Sequence, residues 1–126
     1  MSFAKQEKFY GMDGDKVGAL IDAYFIRNEV DAMKEFSAKV MGAMETVREK
    51  VLQAGGKVIF CAGDSILFQG NFDSNWCEQL LDVFLQITGR TSSMGIGDSA
   101  TEAYLGLKLA KSFGGGKAVT YHLTSK

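Results

Sequence analysis

The stretch KVIFCAGDSILFQG, from Lys57 to Gly70, constrains the fold more than any other part of the chain. Two apolar, β-rich runs flank AGDS, and a connection that short closes an antiparallel hairpin. A hairpin in mid-chain fixes one antiparallel pair of strands. It argues against a regular alternation of strands and helices, in which neighbouring strands run parallel.

The remaining elements are read around that hairpin. Lys8 to Met12 forms a short strand pattern, and Val17 to Arg27 a helix pattern. The periodicity falters at Asn28 to Asp31. It resumes at Met33, Phe36, Val40, Met44, Val47 and Val51, whose steps of three and four make one amphipathic stripe. Gly55 and Gly56 end that helix. Asn75 to Thr88 carries a second stripe, and TSSMGIG runs as a strand into a glycine turn. Ser99 and Glu102 have capping-box spacing and open a third helical stretch to Phe113. GGG ends it, and KAVTYHL is the last strand. The order β-α-β-β-α-β-α-β contains a ferredoxin-like unit. The expected fold is α+β: a single domain over residues 1–126, with one antiparallel sheet and helices packed on one face. In that topology the first strand lies beside the hairpin, which brings Asp13 toward Asp64.

Composition narrows the partners. The 126 residues carry a net charge of −1, which argues against a duplex DNA footprint or an anionic membrane surface. No apolar run approaches the roughly 20 residues that span a bilayer, and no signal-peptide pattern is visible, so a cytoplasmic location is expected. Cys61 and Cys77 fall on apolar sides and read as core thiols. Trp76 reads as packing at a helix start, and His122 as structural or exposed.

Three chemistries suit the acidic stretch MDGDKV. The first is a two-metal nucleotidyl-transfer site, with Asp13 at a strand end, Asp15 as an optional further ligand and Asp64 from the hairpin. Gly14 and Gly63 would let phosphates approach the backbone, and the helix start at Lys16 to Gly18 would offer free N–H groups. Lys108 or Lys111 would complete the clamp. The second is an aspartyl phosphatase of the haloacid-dehalogenase type, since MDGDKV fits its nucleophile pattern. That fold, however, needs a parallel sheet and places its late acidic motif near the end of the chain. The third is a dinucleotide fingerprint in GIGDSA, which lacks the acidic residue about 20 positions on. Against all three stands the plain reading of a helix cap and a good hairpin turn.

The segments DGDKVG, GGKVIFCAGDSILF and SMGIGDSATEAYLGLKLAKSFGGGKA together resemble the minimal CRISPR polymerase (mCpol) family. These are stand-alone palm-like domains related to GGDEF cyclases and to the polymerase-like subunit of type III CRISPR complexes. The resemblance implies a palm-like nucleotide cyclase or polymerase domain. It implies Asp13 and Asp64 as catalytic metal ligands, with Asp15 as a further ligand or a support behind them. The hairpin motif of the family is typically GGDD, and here it reads AGDS, so Ser65 has replaced the second acid. Gly14, Asp15, Lys16, Gly63 and Ser65 would line the nucleotide, Lys111 would meet the triphosphate, and Lys117, set further along by GGGK, would be a second basic residue near it.

By that resemblance the cofactor is Mg²⁺ or Mn²⁺ and the substrate ATP or another nucleoside triphosphate. The product is a cyclic di-AMP-like or oligoadenylate messenger for antiphage signalling, read by a separate effector protein. Joining two nucleotides needs two sites, and one small domain offers little room, so a homo-oligomer is expected. The AGDS hairpin keeps a second reading open, a palm that binds nucleotide as a sensor or scaffold. Asn28 and Asp31 could reach a base edge but read first as caps and turn residues.

Overall fold

A computed structural model describes residues 7–124. The elements are β1 (Lys8–Gly14), α1 (Val17–Ile26), α2 (Val30–Gln53), β2 (Lys57–Ala62), β3 (Ser65–Gly70), α3 (Ser74–Thr88), β4 (Ser92–Gly97), α4 (Ala100–Ser112) and β5 (Ala118–Thr120). The first helical portion is thus two helices. Asn28 takes the left-handed φ of 53°, and the Asn28 and Glu29 N–H groups donate back to the Phe25 and Tyr24 carbonyls. That is a Schellman cap with asparagine in glycine's usual place, so Asn28 is a helix stop. Asp31 lies in the first turn of α2, where a negative charge suits the helix dipole.

The sheet runs β2-β3-β1-β4-β5. β1 is antiparallel to both neighbours, with Asp13 opposite Ser65 on one side and Ser93 on the other. The parallel sheet that an aspartyl phosphatase requires is not formed around it. β4 and β5 are parallel, because α4 carries the chain back to run in the same direction. The last strand is shorter than KAVTYHL suggests, and His122 lies beyond it, 3.8 Å from an Asp98 oxygen.

Side chains alternate across a strand. Tyr10, Met12, Phe68, Met94 and Ile96 face α2 and α3 and form the core with Phe36, Val40, Val47, Leu80 and Phe84. Cys77 is buried there, with its thiol pushed up to about 11 by burial and the Asp73 charge. Cys61 is half-buried, and both thiols are free. Trp76 stacks on Phe72 at the start of α3.

α4 lies on the opposite face, which corrects the expectation of helices on one side. A Cβ at Gly95 would come within 1.9 Å of the Ala103 carbonyl oxygen, and one at Gly97 within 2.2 Å of the Glu102 Cβ. The glycine spacing of GIGDSA therefore serves close helix-on-strand packing. Its Ser99–Glu102 box is formed: the Glu102 N–H donates to Ser99 Oγ, and Glu102 Oε1 accepts from the Asp98 N–H. Among the described residues no helix is long and apolar enough to cross a membrane.

Candidate active site

Asp13 stands near the end of β1, and Asp64 occupies the turn between β2 and β3. The Gly14 N–H donates to the Asp64 carbonyl at 3.1 Å, which pins the turn against β1. A Cβ at Gly14 would sit 3.1 Å from Asp64 Oδ2 and under 3 Å from Val17 and Phe84 carbons. Glycine there is what lets the second carboxylate approach. Gly63, at φ 58°, gives the hairpin its left-handed turn residue. Burial pushes the Asp64 carboxyl above the ordinary aspartate value, and the Asp13 charge pushes it further. Its own and the Gly14 N–H groups and the Lys111 charge oppose the rise. An Asp64 carboxyl raised by burial and by a neighbouring carboxylate makes a site that a cation would relieve.

Ser65 Oγ donates to Asp13 Oδ1 at 2.5 Å. The residue in place of the second hairpin acid thus orients the first-strand acid.

Asp15 points elsewhere. Its carboxylate accepts from Ser93 Oγ and Thr91 Oγ1, both at 2.7 Å, from the Gly116 N–H at 2.8 Å and from Lys111 Nζ at 3.3 Å. Burial alone would raise its carboxyl, and these donors together hold it below the ordinary value. The structure brings Asp13 and Asp64 together and turns Asp15 toward β4 and the glycine loop after α4. Gly114, Gly115 and Gly116 all take positive φ, and a Cβ at Gly115 would fall 2.6 Å from the Asp15 carboxylate. GGG is therefore a clasp around Asp15 as well as a helix stop. Thr91, Ser93 and Gly116 are the partners that sequence reading missed, since nothing in TSS or GGG marks them as ligands of a distant acid.

Lys111 reaches from α4 to the site. Its ammonium donates to the Gly14 carbonyl at 3.0 Å and to Asp15. An ammonium has three donors, so one is left for a phosphate. The α1 start offers more. Lys16, the N-cap residue, is left-handed at φ 58°, and no side chain caps the helix. The first-turn N–H groups, Lys16 to Ala19, have no intrahelical partner. By contrast Asp73 caps α3 and Ser99 caps α4. The N–H groups of Gly14 and Asp15 are already given to the Asp64 and Thr91 carbonyls, so the anion-facing amides begin at Lys16. Lys117 is turned away, with Nζ 5.3 Å above the Phe113 ring, and it lines a separate cavity between α3 and β5.

The donor set at the pair is hard oxygen, which fits Mg²⁺ or Mn²⁺. No group of three or more His, Cys, Asp or Glu among the described residues could hold a metal ion, so phosphate oxygens would have to complete the shell.

The model of the mCpol family, described as a minimal CRISPR polymerase domain, matches residues 9–121. No curated protein matches the chain. Among solved structures, the active GGEEF domain of a diguanylate cyclase from Vibrio cholerae is similar at 12% identity and TM-score 0.59, covering 94% of this chain and 84% of that one. An EAL/GGDEF domain protein from M. capsulatus is similar at 14% identity and TM-score 0.53, covering 93% and 85%. A Pseudomonas aeruginosa GGDEF domain is similar at 12% identity and TM-score 0.50, covering 94% and 83%. At such identities the likeness is one of fold, and it matches the palm-like architecture expected from the sequence.

Proposed function

The chain belongs to the mCpol family of minimal CRISPR polymerase domains, and on that premise we propose that it is a nucleotidyltransferase building a cyclic di- or oligonucleotide from ATP. The observation that carries this reading is the pairing of Asp13 with Asp64 beside an uncapped helix start. In the reaction, a ribose hydroxyl oxygen of one ATP bonds to the α-phosphorus of another. The bond to the pyrophosphate breaks, pyrophosphate leaves, and the hydroxyl proton passes to water. A second transfer closes the ring.

A bound Mg²⁺ or Mn²⁺ would supply charge for the phosphates and make the hydroxyl more acidic. Asp13 and Asp64 are the residues to hold it, with Ser65 fixing the direction of Asp13. The Lys16–Ala19 amides and the third donor of Lys111 hold the triphosphate. Asp15 acts from behind, keeping Lys111 and the glycine loop in place. No protein nucleophile is needed, because positioning and charge do the work. Family membership supports the further reading that the product is a cyclic di-AMP-like signal in antiviral defence, read by a separate effector protein.

The test is to incubate the purified protein with ATP and Mg²⁺ or Mn²⁺ and to follow pyrophosphate and cyclic product by mass spectrometry. Asp13→Ala and Asp64→Ala should each lower the rate by at least about 10²-fold. Absence of both products from wild type would leave the nucleotide-binding sensor or scaffold, the reading that Ser65 favours. Full activity in either variant would remove the metal assignment.

A further inference from the structure

Among the described residues, Ser92 Oγ is the one buried side-chain oxygen or nitrogen that meets no hydrogen-bond partner. The residue is 1% exposed. A buried hydroxyl without a partner is costly, and it marks a place where something else supplies the bond. Ser92 shares its face of β4 with Met94 and Ile96, which join α3 in the core, whereas Ser93 turns the other way to Asp15. A cavity of about 380 Å³ lies between α3 and β5, and Ser92 lines it. That volume falls within the roughly 300–1,000 Å³ of small-molecule sites. One stripe of α3 forms another wall. Leu81 and Leu85 supply apolar surface, and Glu78 and Asp82, one turn apart, supply two carboxylates. Both acids are exposed, and neither joins an ion pair among the described residues. Asp82 accepts only from the Gln86 amide, at 3.4 Å. Lys117 also lines the cavity, but its ammonium lies 5.3 Å above the Phe113 ring.

We propose that this cavity is a ligand site, apart from the Asp13–Asp64 pair, for a small amine with an apolar body and a hydrogen-bonding group at its far end. The ammonium meets Glu78 and Asp82, the body lies on Leu81, Leu85 and Ile96, and the far group bonds Ser92 Oγ. Each part of the ligand answers one observation: unpaired carboxylates, an apolar wall, a partnerless hydroxyl. The two carboxylates outnumber the lysine, so the cavity turns away an anion such as a nucleotide phosphate. The inference does not rest on the nucleotidyl-transfer reading. Two of the lining residues, Thr91 and Gly116, also donate to Asp15. The occupant therefore touches the clasp around Asp15 and not the carboxylate pair.

The probe is tyramine, which carries an ammonium, a ring and a phenol hydroxyl in that order. ¹⁵N-labelled protein is titrated with it and followed by amide chemical shifts. One saturable set should move, at Ser92, Gly116 and Ala118, while the Gly14 and Gly63 amides stay in place. Phenethylamine, which lacks the hydroxyl, should bind about fivefold more weakly. 3-(4-Hydroxyphenyl)propionate, with a carboxylate for the ammonium, should not saturate the site. The double variant Glu78→Gln/Asp82→Asn should weaken tyramine by about tenfold or more. Ser92→Ala should bind tyramine and phenethylamine alike, with the phenethylamine affinity of wild type. Its melting temperature should be no lower, since it loses a hydroxyl that had no partner. No saturable shift with tyramine overturns the site and leaves Ser92 to water. Shifts led by Gly14 and Gly63, equal binding of the propionate, an unaltered double variant, or a Ser92→Ala protein that still prefers tyramine each overturn it as well. Every one of these failures leaves the nucleotidyl-transfer reading standing.

Discussion

Ser65 stands directly across β1 from Asp13 and donates its hydroxyl proton to the Asp13 carboxylate. An acid at that position would place two like charges in a cross-strand pair, at a cost of about 0.2–1 kcal/mol without a cation. Ser65→Asp should therefore lower the melting temperature of the metal-free protein by a few degrees. In Mg²⁺ the same variant should be stabilised more than wild type, because it adds a hard oxygen ligand. Thermal scans with and without Mg²⁺ check both directions; equal Mg²⁺ responses would place Ser65 away from the ion. The sequence made Asp13 and Asp64 legible because a D-x-D at a strand end and a G-D in a hairpin are local patterns. It did not make Asp15 legible. The same spacing suits a ligand or a buried anchor, and the choice lies with Thr91, Ser93 and Gly116, far along the chain.

At the scale of elements, α4 carries Lys111, Lys108 and Tyr104, and its seat on β4 depends on glycines. Gly95→Ala would press a methyl into the Ala103 carbonyl and the Leu107 amide, both backbone atoms that cannot move alone. The expected cost is about 3 kcal/mol, measured by urea denaturation, with nucleotidyl transfer falling as α4 lifts. An unchanged midpoint would mean that the helix does not lie against the strand. Amphipathic stripes and caps made the helices readable, and Phe36, Val40, Met44, Val47 and Val51 all reach the core as the stripe implies. The face that α4 occupies was hidden. GIG reads equally as a phosphate turn or as a place where two backbones touch, and only the sheet it packs on decides. The split between α1 and α2 was visible as a lapse in period, but its cause, a left-handed Asn28, was not.

For the whole molecule, the buried Asp15 and the half-buried Asp64 pull in opposite directions with pH. The Asp64 carboxyl is raised by burial and by Asp13, so its ionisation costs stability as pH rises through its range. The Asp15 carboxyl is lowered despite burial, so its contribution is full above the ordinary aspartate value and lost as pH falls through its own. A divalent cation held by Asp13 and Asp64, as proposed, would offset the Asp64 penalty. Mg²⁺ at a hundredfold excess over its Kd should raise the melting temperature at pH 7.5 by roughly 10 °C, following from about 2.7 kcal/mol of linkage. The rise should shrink on acidification as Asp64 takes up a proton, and a rise independent of pH would place the ion elsewhere. The sheet order adds a consequence. β1 has a bonded strand on each side, whereas β2 is an edge, and its turn into β3 holds Asp64. An ion shared by Asp13 and Asp64, as proposed, would tie the rim of the sheet to its middle. Backbone amides in 57–62 that exchange with solvent through local opening should then slow toward the rate of β1 when Mg²⁺ is added, while those of α3 keep their own pace.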